Sequence, residues 1–291
     1  MSLEVFDERK CTLGEGPTSS GPSNNHIMWV DIMGKKLLTK DLSTGKTTEQ
    51  ASSEEIGFAL PGEDSGLVLG YASGAKFITK DGQEFDLPHW KTILPSDPNT
   101  PVRWNDAKVS PHKQLYAGTM AFDATPEVGG LYRISPDGKE IAGLISKVSI
   151  SNGLDWSPNK TKFYYIDTLK YTVAVYDYNQ DGISNPKTLI SFDQGVVMPD
   201  GMCVDAEGGI WVAFFNGSCL KRYDEKGNLS ETIKMPVKNI TSCAFGGPNL
   251  ETLFITTAAV LDEDNPQSGM TFMIKPGVSG QQFNLFPNPL K

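Results

Sequence analysis

The stretch that decides the fold is Ser151-Asn-Gly-Leu-Asp-Trp-Ser-Pro-Asn-Lys-Thr-Lys-Phe-Tyr-Tyr-Ile-Asp167. It ends in an apolar run, 162–167, that is typical of a β-strand, and Asn152 precedes the middle of that run by about a dozen positions. Similar apolar runs recur on both sides, and their central residues are Met28, Leu67, Tyr116, Tyr164, Trp211 and Phe254. Successive centres are 39, 49, 48, 47 and 43 residues apart, so one unit repeats six times.

Turn signals give the same period independently of the apolar runs. They are the pairs Thr44-Gly45, Asp81-Gly82, Asp137-Gly138, Asp181-Gly182, Lys226-Gly227 and Pro276-Gly277. A period of about 40–50 residues built from short strands and turns is typical of a β-propeller. We therefore predict an all-β fold, a six-bladed β-propeller with about four antiparallel strands per blade, formed by a single domain over residues 1–291. A short N-terminal strand, about Leu3–Asp7, is expected to complete the sheet that contains 272–275.

Composition excludes several classes of partner. The net charge of −9 disfavours binding to a phosphate backbone, so we expect no nucleic-acid partner. The acidic N-terminus lacks the features of a signal peptide, and no apolar segment is long enough to span a membrane. The four cysteines form no CxxC pair, which predicts reduced, mostly buried thiols in a cytoplasmic protein. Oligomeric state is not indicated.

Polar residues recur at one level of the repeat, about a dozen positions before each central residue. At that level the six units carry Glu15, Gly57, Asn105, Asn152, Asp200 and Ser242. Equivalent positions of successive blades meet near the propeller axis, so four carboxylate or carboxamide side chains should point into one small space. Any one of these motifs alone would be an ordinary turn, and their coincidence at matched positions is what favours a site.

Two crowded carboxylates repel each other unless a cation neutralises them. Glu15, Asn152 and Asp200 offer an all-oxygen ligand set suited to calcium, magnesium or manganese; zinc is less favoured but also accepts carboxylates. Asn105 is either a further ligand or a group that holds a water or a substrate hydroxyl. Arg103 is either a structural salt-bridge residue or a binder of substrate oxygens. We find no G-x-S-x-G motif and no glycine-rich phosphate loop, so neither a serine nucleophile nor a nucleotide cofactor is expected.

The chain resembles the senescence-marker-protein, gluconolactonase and luciferin-regenerating-enzyme family. The resemblance covers essentially the whole chain in order, and it rests on Leu-Gly-Glu-Gly-Pro (13–17), Arg-Trp-Asn-Asp-Ala-Lys (103–108), Tyr-Ala-Gly-Thr-Met-Ala (116–121), Ser-Asn-Gly-Leu-Asp-Trp-Ser-Pro (151–158), Pro-Asp-Gly-Met-Cys-Val-Asp (199–205) and Cys-Ala-Phe-Gly-Gly (243–247). It implies a six-bladed propeller with one catalytic divalent cation and an activity that hydrolyses the lactones of sugar acids.

The same resemblance implies roles for individual residues. Glu15, Asn152 and Asp200 match the family's metal ligands, and Asp200 is also implied as the general base. Arg103 and Asn105 match residues that contact sugar hydroxyls. Related animal lactonases often have a glutamate after Thr-Met-Ala, whereas Phe122-Asp123 stands here. Asp123 is expected to bind the same hydroxyl with a shorter reach.

These observations predict a metal-dependent hydrolase that opens an aldonolactone such as gluconolactone or a pentonolactone. The cation would polarise the carbonyl while Asp200 assists water attack, and a hydroxide on the cation stays an open alternative as nucleophile. Two further functions stay open: a metal-dependent phosphotriester or organofluorophosphate hydrolase, and a non-catalytic calcium-binding propeller. We expect the loops 84–101 and 259–268 to set substrate size.

Overall fold

Short strands joined by tight turns make up most of the regular structure, as the turn-rich sequence predicts. The computed structural model describes residues 2–20, 24–92 and 100–291. Within these ranges, 24 strands form six four-stranded antiparallel sheets arranged as the blades of a propeller. The predicted six-bladed β-propeller is confirmed.

The chain begins with β1 (Glu4–Asp7), which belongs to the last blade. Blade 1 comprises β2 (Gly14–Ser20), β3 (His26–Asp31), β4 (Lys36–Asp41) and β5 (Thr47–Ala51). Blade 2 comprises β6 (Ile56–Pro61), β7 (Leu67–Tyr71), β8 (Gly74–Ile78) and β9 (Glu84–Leu87). Blade 3 comprises β10 (Val102–Val109), β11 (Leu115–Ala121), β12 (Gly129–Ile134) and β13 (Ile141–Val148).

Blade 4 comprises β14 (Ser151–Trp156), β15 (Lys162–Asp167), β16 (Thr172–Asn179) and β17 (Gly182–Ser191). Blade 5 comprises β18 (Met198–Val204), β19 (Ile210–Phe215), β20 (Cys219–Tyr223) and β21 (Leu229–Lys234). Blade 6 comprises β22 (Ile240–Gly246), β23 (Thr252–Thr257), β24 (Thr271–Ile274) and β1. Three short 3₁₀ turns of the described residues are Glu63–Ser65, Trp90–Thr92 and Thr168–Lys170. None of the helical segments described is long and apolar enough to cross a membrane.

The two ends of the chain close the ring in the last blade. Strand β1 pairs antiparallel with β24, with Val5 opposite Phe272, so the outer strand of blade 6 comes from the N-terminus. Phe6 packs against Trp29 of blade 1 and Phe254 of blade 6, with ring centroids 6.0 and 4.6 Å away. The predicted closing strand is confirmed, and its aromatic residue ties the first blade to the last.

The repeated glycines occupy one position in each unit. Five of them lie in the hairpin between the third and the outer strand of a blade, and Gly277 follows β24, the third strand of blade 6. All six have positive φ, from 67° to 136°, and they are Gly45, Gly82, Gly138, Gly182, Gly227 and Gly277. Because side chains are disfavoured in this region of backbone space, the turns require glycine and so mark the period in the sequence.

Apolar side chains fill the space between neighbouring blades. Trp29, Trp156 and Trp211 are buried among them. All four cysteines are free and buried, as predicted. The Sγ atoms of Cys203 and Cys243 lie 3.5 Å apart across the contact between blades 5 and 6.

The boundary predicted for one specificity loop is wrong. Residues 84–101 were expected to form a loop, but Glu84–Leu87 forms the outer strand of blade 2, and Trp90 packs edge-on against Trp104 in the core. Residues 93–99 of this segment lie outside the described ranges. The alternating sequence Glu-Phe-Asp-Leu at 84–87 carries the strand pattern that the prediction overlooked.

The innermost strands of the six blades all run in the same direction along the channel. We call the end where they begin the upper end, and the end where they finish the lower end. Each of these strands has a register shift against its blade neighbour in its first half, which indicates a β-bulge. The shifts fall between Glu15 and Thr18, Ile56 and Phe58, Trp104 and Ala107, Asn152 and Leu154, Pro199 and Met202, and Ile240 and Ser242.

Gly57 allows blades 2 and 3 to approach closely at the level of the bulges. A Cβ at this position would lie 2.3 Å from the carbonyl oxygen of Trp104. We expect Gly57→Ala to lower the free energy of unfolding by about 1–3 kcal/mol, because the methyl group meets backbone that cannot rotate away. Gly74→Ala is the matched control, since its Cβ would meet only a His89 ring carbon at 3.6 Å. Urea unfolding of both variants tests this, and equal stability would contradict the close approach.

Candidate metal and substrate site

The bulges bring the predicted polar side chains to the upper half of the channel. Glu15 and Asn152 are the second residues of β2 and β14, and Asp200 is the third residue of β18. Their exposed fractions are 7%, 5% and 6%, so all three are buried at the inner wall. A glycine beside Asn152 allows blades 4 and 5 to approach closely, since a Cβ at Gly153 would lie 2.8 Å from the carbonyl oxygen of Asp200.

A hydrogen-bond chain fixes the carboxamides of blades 3 and 4. Asn105 Nδ2 donates to Asn152 Oδ1 at 3.0 Å and to the Ser151 carbonyl oxygen at 2.8 Å. Asn152 Nδ2 donates to Thr168 Oγ1 at 2.8 Å. Asn105 thus uses both of its N–H groups and Asn152 uses one, and the Asn152 oxygen keeps a second lone pair that a cation could bind. Sequence reasoning missed Thr168, which orients the predicted ligand.

Arg103 continues this chain toward the upper end. Its Nη1 donates to Asn105 Oδ1 at 2.7 Å and to the Trp104 carbonyl oxygen at 2.9 Å. Among the described residues, no carboxylate lies within 4.0 Å of the guanidinium, so the salt-bridge interpretation is not supported. The Nε and Nη2 hydrogens have no protein acceptor in the described part of the chain, and they are free to bind substrate oxygens.

Glu15 and Asp200 are two buried carboxylates without a close counter-charge. Burial and the repulsion by Asp106 raise the pKa of Glu15 to about 8, against the lowering effects of the Gly16 backbone N–H and the Arg103 guanidinium. Burial and the negative charges of Glu15 and Asp106 raise the pKa of Asp200 well above its ordinary value. Among the described residues, neither carboxylate has a lysine or arginine within 4.0 Å. Both pKa values are therefore raised, as expected of buried carboxylates whose charge a bound cation would stabilise.

The donor set fits a hard divalent cation. Two carboxylates and the carboxamide oxygen of Asn152 supply oxygen atoms only, and a cation between them would remove the repulsion that raises the two pKa values. Within the residues described, no three His, Cys, Asp or Glu side chains cluster, so a site of the cysteine or histidine type is not formed. The Asn152 carboxamide is the third ligand of the predicted set, beside the Glu15 and Asp200 carboxylates.

Asp123 does not join this cluster through any contact of the described residues. It is exposed in the connection after β11, and its Oδ1 accepts hydrogen bonds from Thr125 N at 3.0 Å and Thr125 Oγ1 at 2.7 Å. These bonds lower the pKa of Asp123, the hydroxyl of Thr125 contributing most. The connection lies at the upper end, on the same side as Arg103, but the role predicted for Asp123 stays a prediction.

Asp106 is a third carboxylate of the channel that sequence reasoning did not assign. The bulge in β10 turns it inward beside Asn105, although neighbouring strand residues ordinarily face opposite sides. Burial raises the pKa of Asp106 to about 6, against the effect of Lys108. Lys108 Nζ in turn lies 2.7 Å from Asp155 Oδ2. The pattern Asn-Asp-Ala-Lys (105–108) does not by itself predict that Asp106 faces the channel, because that orientation depends on the bulge.

A cavity of about 560 Å³ occupies the lower half of the channel, below the candidate ligands. Asp106, Lys108 and Asp155 line its wall. The C-terminal segment crosses the lower end: Gln281 Nε2 donates to the Trp156 and Val204 carbonyl oxygens, and Asn284 Nδ2 donates to that of Val109. The C-terminal segment therefore borders the cavity at its lower end.

Comparison with known proteins agrees with this geometry. The family model described as "SMP-30/Gluconolactonase/LRE-like region" matches residues 13–259. The chain belongs to this family. The predicted family is thereby confirmed, and the match spans the six polar positions from blade 1 to blade 6.

Individual members of the SMP-30/gluconolactonase/LRE-like family resemble the chain over nearly its full length. Regucalcin of Danio rerio is 35% identical over 285 residues, covering 94% of each chain. A crystal structure of a calcium-binding protein, regucalcin from Agrobacterium tumefaciens, superposes with a TM-score of 0.89 at 28% identity, covering 98% of this chain and 97% of that one. A luciferin-regenerating enzyme superposes with a TM-score of 0.89 at 30% identity, covering 99% of each chain.

Proposed function

We propose that this protein is a lactonase that depends on one divalent cation and opens the lactone ring of a sugar acid. The observation that carries the proposal is the pair of buried carboxylates in the upper half of the channel, Glu15 and Asp200, which have no close counter-charge among the residues that the structure describes. The family description, which includes gluconolactonase, supports the substrate class. The similarity to the calcium-binding regucalcin of Agrobacterium tumefaciens supports calcium as one candidate cation.

Glu15, Asn152 and Asp200 would hold the cation. When bound, it would supply a Lewis acid that polarises the lactone carbonyl and stabilises negative charge on its oxygen. The carboxamide chain from Thr168 through Asn152 to Asn105 keeps the ligand oxygen in place. Preorganisation of this kind matters because each ligand that moves during the reaction weakens the stabilisation of the transition state.

The chain's own residues would position the lactone and its attacking water. The free Nε and Nη2 hydrogens of Arg103 are suited to the hydroxyl or ring oxygens of the substrate. Asp200 would accept the proton of the water as its oxygen approaches the carbonyl carbon. We keep Asp123 as a proposed contact for a more distant hydroxyl, because it lies on the upper side of the channel.

Removal of the cation should abolish activity and lower thermal stability. We expect a chelator to stop hydrolysis of five- and six-membered aldonolactones, and added calcium, magnesium, manganese or zinc to restore it to different extents. Because a ligand that binds only the folded state at about 100 times its Kd contributes about 2.7 kcal/mol, the metal-loaded protein should melt about 5 °C higher. Differential scanning calorimetry measures this shift independently of turnover.

A parallel screen of phosphotriesters and fluorophosphates separates the competing functions. Preference for these substrates over every lactone would replace the proposed substrate class. Tight cation binding with a melting shift but no turnover of either class would instead favour a calcium-binding propeller. Lactone hydrolysis that is insensitive to the chelator would contradict the cation's role.

A further inference from the structure

Glu55 lies at the upper end of the channel, directly before the innermost strand of blade 2. Its position relative to β10 follows from Gly57, whose Cβ would lie 2.3 Å from the Trp104 carbonyl oxygen and 3.1 Å from that of Asn105. The two strands run in the same direction, and Glu55 is two positions before Gly57. It therefore corresponds to Val102 or Arg103, which are two positions before Trp104 and Asn105. Glu55 is therefore level with the segment that carries Arg103.

The Glu55 carboxylate is unpaired within the described part of the chain. Among the described residues it accepts no hydrogen bond and forms no ion pair within 4.0 Å, although the residue is half-buried. The neighbouring Glu54 differs: its carboxylate oxygens accept hydrogen bonds from Ser73 N and Ser73 Oγ, both at 2.7 Å, within blade 2. Glu54 thus binds its own blade, whereas Glu55 interacts electrostatically with Arg103 of the neighbouring blade.

Glu55 acts electrostatically on the guanidinium that faces the substrate path. Burial lowers the pKa of Arg103, and the negative charges of Glu55 and Glu15 oppose that change, Glu55 more strongly than Glu15. An arginine with free N–H donors at a channel entrance would ordinarily attract an anion. A nearby unpaired carboxylate cancels that attraction while leaving the N–H donors available to neutral oxygens.

We propose that Glu55 is a specificity-determining residue that selects uncharged polyhydroxylated lactones against lactones bearing an anionic substituent. A carboxylate accepts hydrogen bonds from substrate hydroxyls, and it repels a second carboxylate or a phosphate at the same place. The inference rests on the proposed lactonase function and adds to it the charge of the accepted substrate.

A matched pair of substrates tests this inference. An aldono-1,4-lactone and the aldaro-1,4-lactone of the same ring stereochemistry differ only in a terminal CH₂OH group or carboxylate. We expect the metal-loaded protein to have a kcat/KM at least about tenfold higher for the uncharged lactone. Glu55→Gln should raise kcat/KM for the anionic lactone about fivefold to tenfold and change that for the uncharged one by less than about threefold.

Glu54→Gln is the control, because it removes an adjacent carboxylate that is bonded to Ser73. It should leave the ratio of the two kcat/KM values unchanged. Raising the ionic strength from about 0.02 M to about 0.5 M should reduce discrimination in the wild type and have little effect on Glu55→Gln. Thermal unfolding confirms that both variants fold.

The outcomes distinguish the two proposals. If neither lactone is hydrolysed, the lactonase function itself fails. If both are hydrolysed with the same kcat/KM, or if Glu55→Gln leaves the ratio as it is in the wild type, the lactonase function stands and the role of Glu55 is wrong. An equal shift of the ratio in Glu54→Gln would also contradict a specific role for Glu55.

Discussion

Replacement of Asp200 by asparagine should lower kcat/KM for an aldonolactone about a thousandfold while the propeller stays folded. Asparagine keeps the size and one oxygen of the side chain but cannot accept a proton from water, and general-base catalysis typically contributes about 10²–10⁴-fold. The loss should fall mainly on kcat, because Arg103 and its free donors still bind the substrate. Steady-state kinetics at saturating metal measures the effect, so that weaker cation binding does not imitate a loss of chemistry.

The stability of this variant gives a second readout of the same site. The pKa of Asp200 is raised by burial and by the charge of Glu15, so a neutral side chain relieves repulsion when no cation is bound. Asp200→Asn should therefore be at least as stable as the wild type in chelator and should gain less on addition of metal. Asp86→Asn, on an outer strand with 84% of its side chain exposed, should change neither quantity. Wild-type turnover in Asp200→Asn would remove this residue from the reaction.

The fold could be predicted because a propeller requires particular residue types at fixed intervals along the sequence. A glycine with positive φ is needed in one turn of each unit, and an apolar strand must pack between blades in each unit. Strand boundaries at 162–167 and 252–257 coincide with the apolar runs that predicted them. Where the prediction was wrong, at 84–87, the strand lies at the outer edge of a blade and is mostly exposed, so its apolar signal is weak.

The candidate site was only partly predictable because its geometry depends on bulges. Register within a sheet cannot be read from residue types alone, and a bulge turns adjacent residues to the same side. This is why the prediction included Asn105 and missed Asp106. Glu55 was missed for a different reason: a charged residue before a strand is typical of any exposed turn, and its lack of a partner is visible only in three dimensions.

Asp205 shows that not every carboxylate near the channel belongs to the site. It follows β18 at the lower end, and its side chain is fully buried. Its Oδ2 accepts hydrogen bonds from Trp211 Nε1 at 2.9 Å and Arg222 Nε at 2.7 Å, and its Oδ1 accepts from the backbone N–H of Glu207 and Gly209. Both oxygens thus have partners, one of them a guanidinium, whereas Asp200 has no lysine or arginine within 4.0 Å among the described residues. The paired state of Asp205 indicates a structural role.

Asp205→Ala should lower the free energy of unfolding by about 3–5 kcal/mol, because it leaves Arg222 without its buried counter-charge and the indole N–H of Trp211 without an acceptor. Urea unfolding followed by tryptophan fluorescence measures the change. Lactonase turnover per folded molecule should stay near the wild-type value, since this carboxylate has no contact with the proposed ligands. A loss of turnover without a loss of stability would instead place Asp205 in the reaction.

Asp224 provides the matched control for this stability effect. It forms the same turn between β20 and β21 of blade 5, with its Oδ1 accepting from the N–H groups two and four residues later, Lys226 and Asn228. It differs from Asp205 in being only partly buried, and its Oδ2 accepts from Asn228 Nδ2 in place of a tryptophan and an arginine. Asp224→Ala should therefore cost clearly less than Asp205→Ala, and the difference isolates what the buried indole and guanidinium bonds contribute. Equal losses would mean that the turn alone stabilises the structure and that the buried bonds to Trp211 and Arg222 do not.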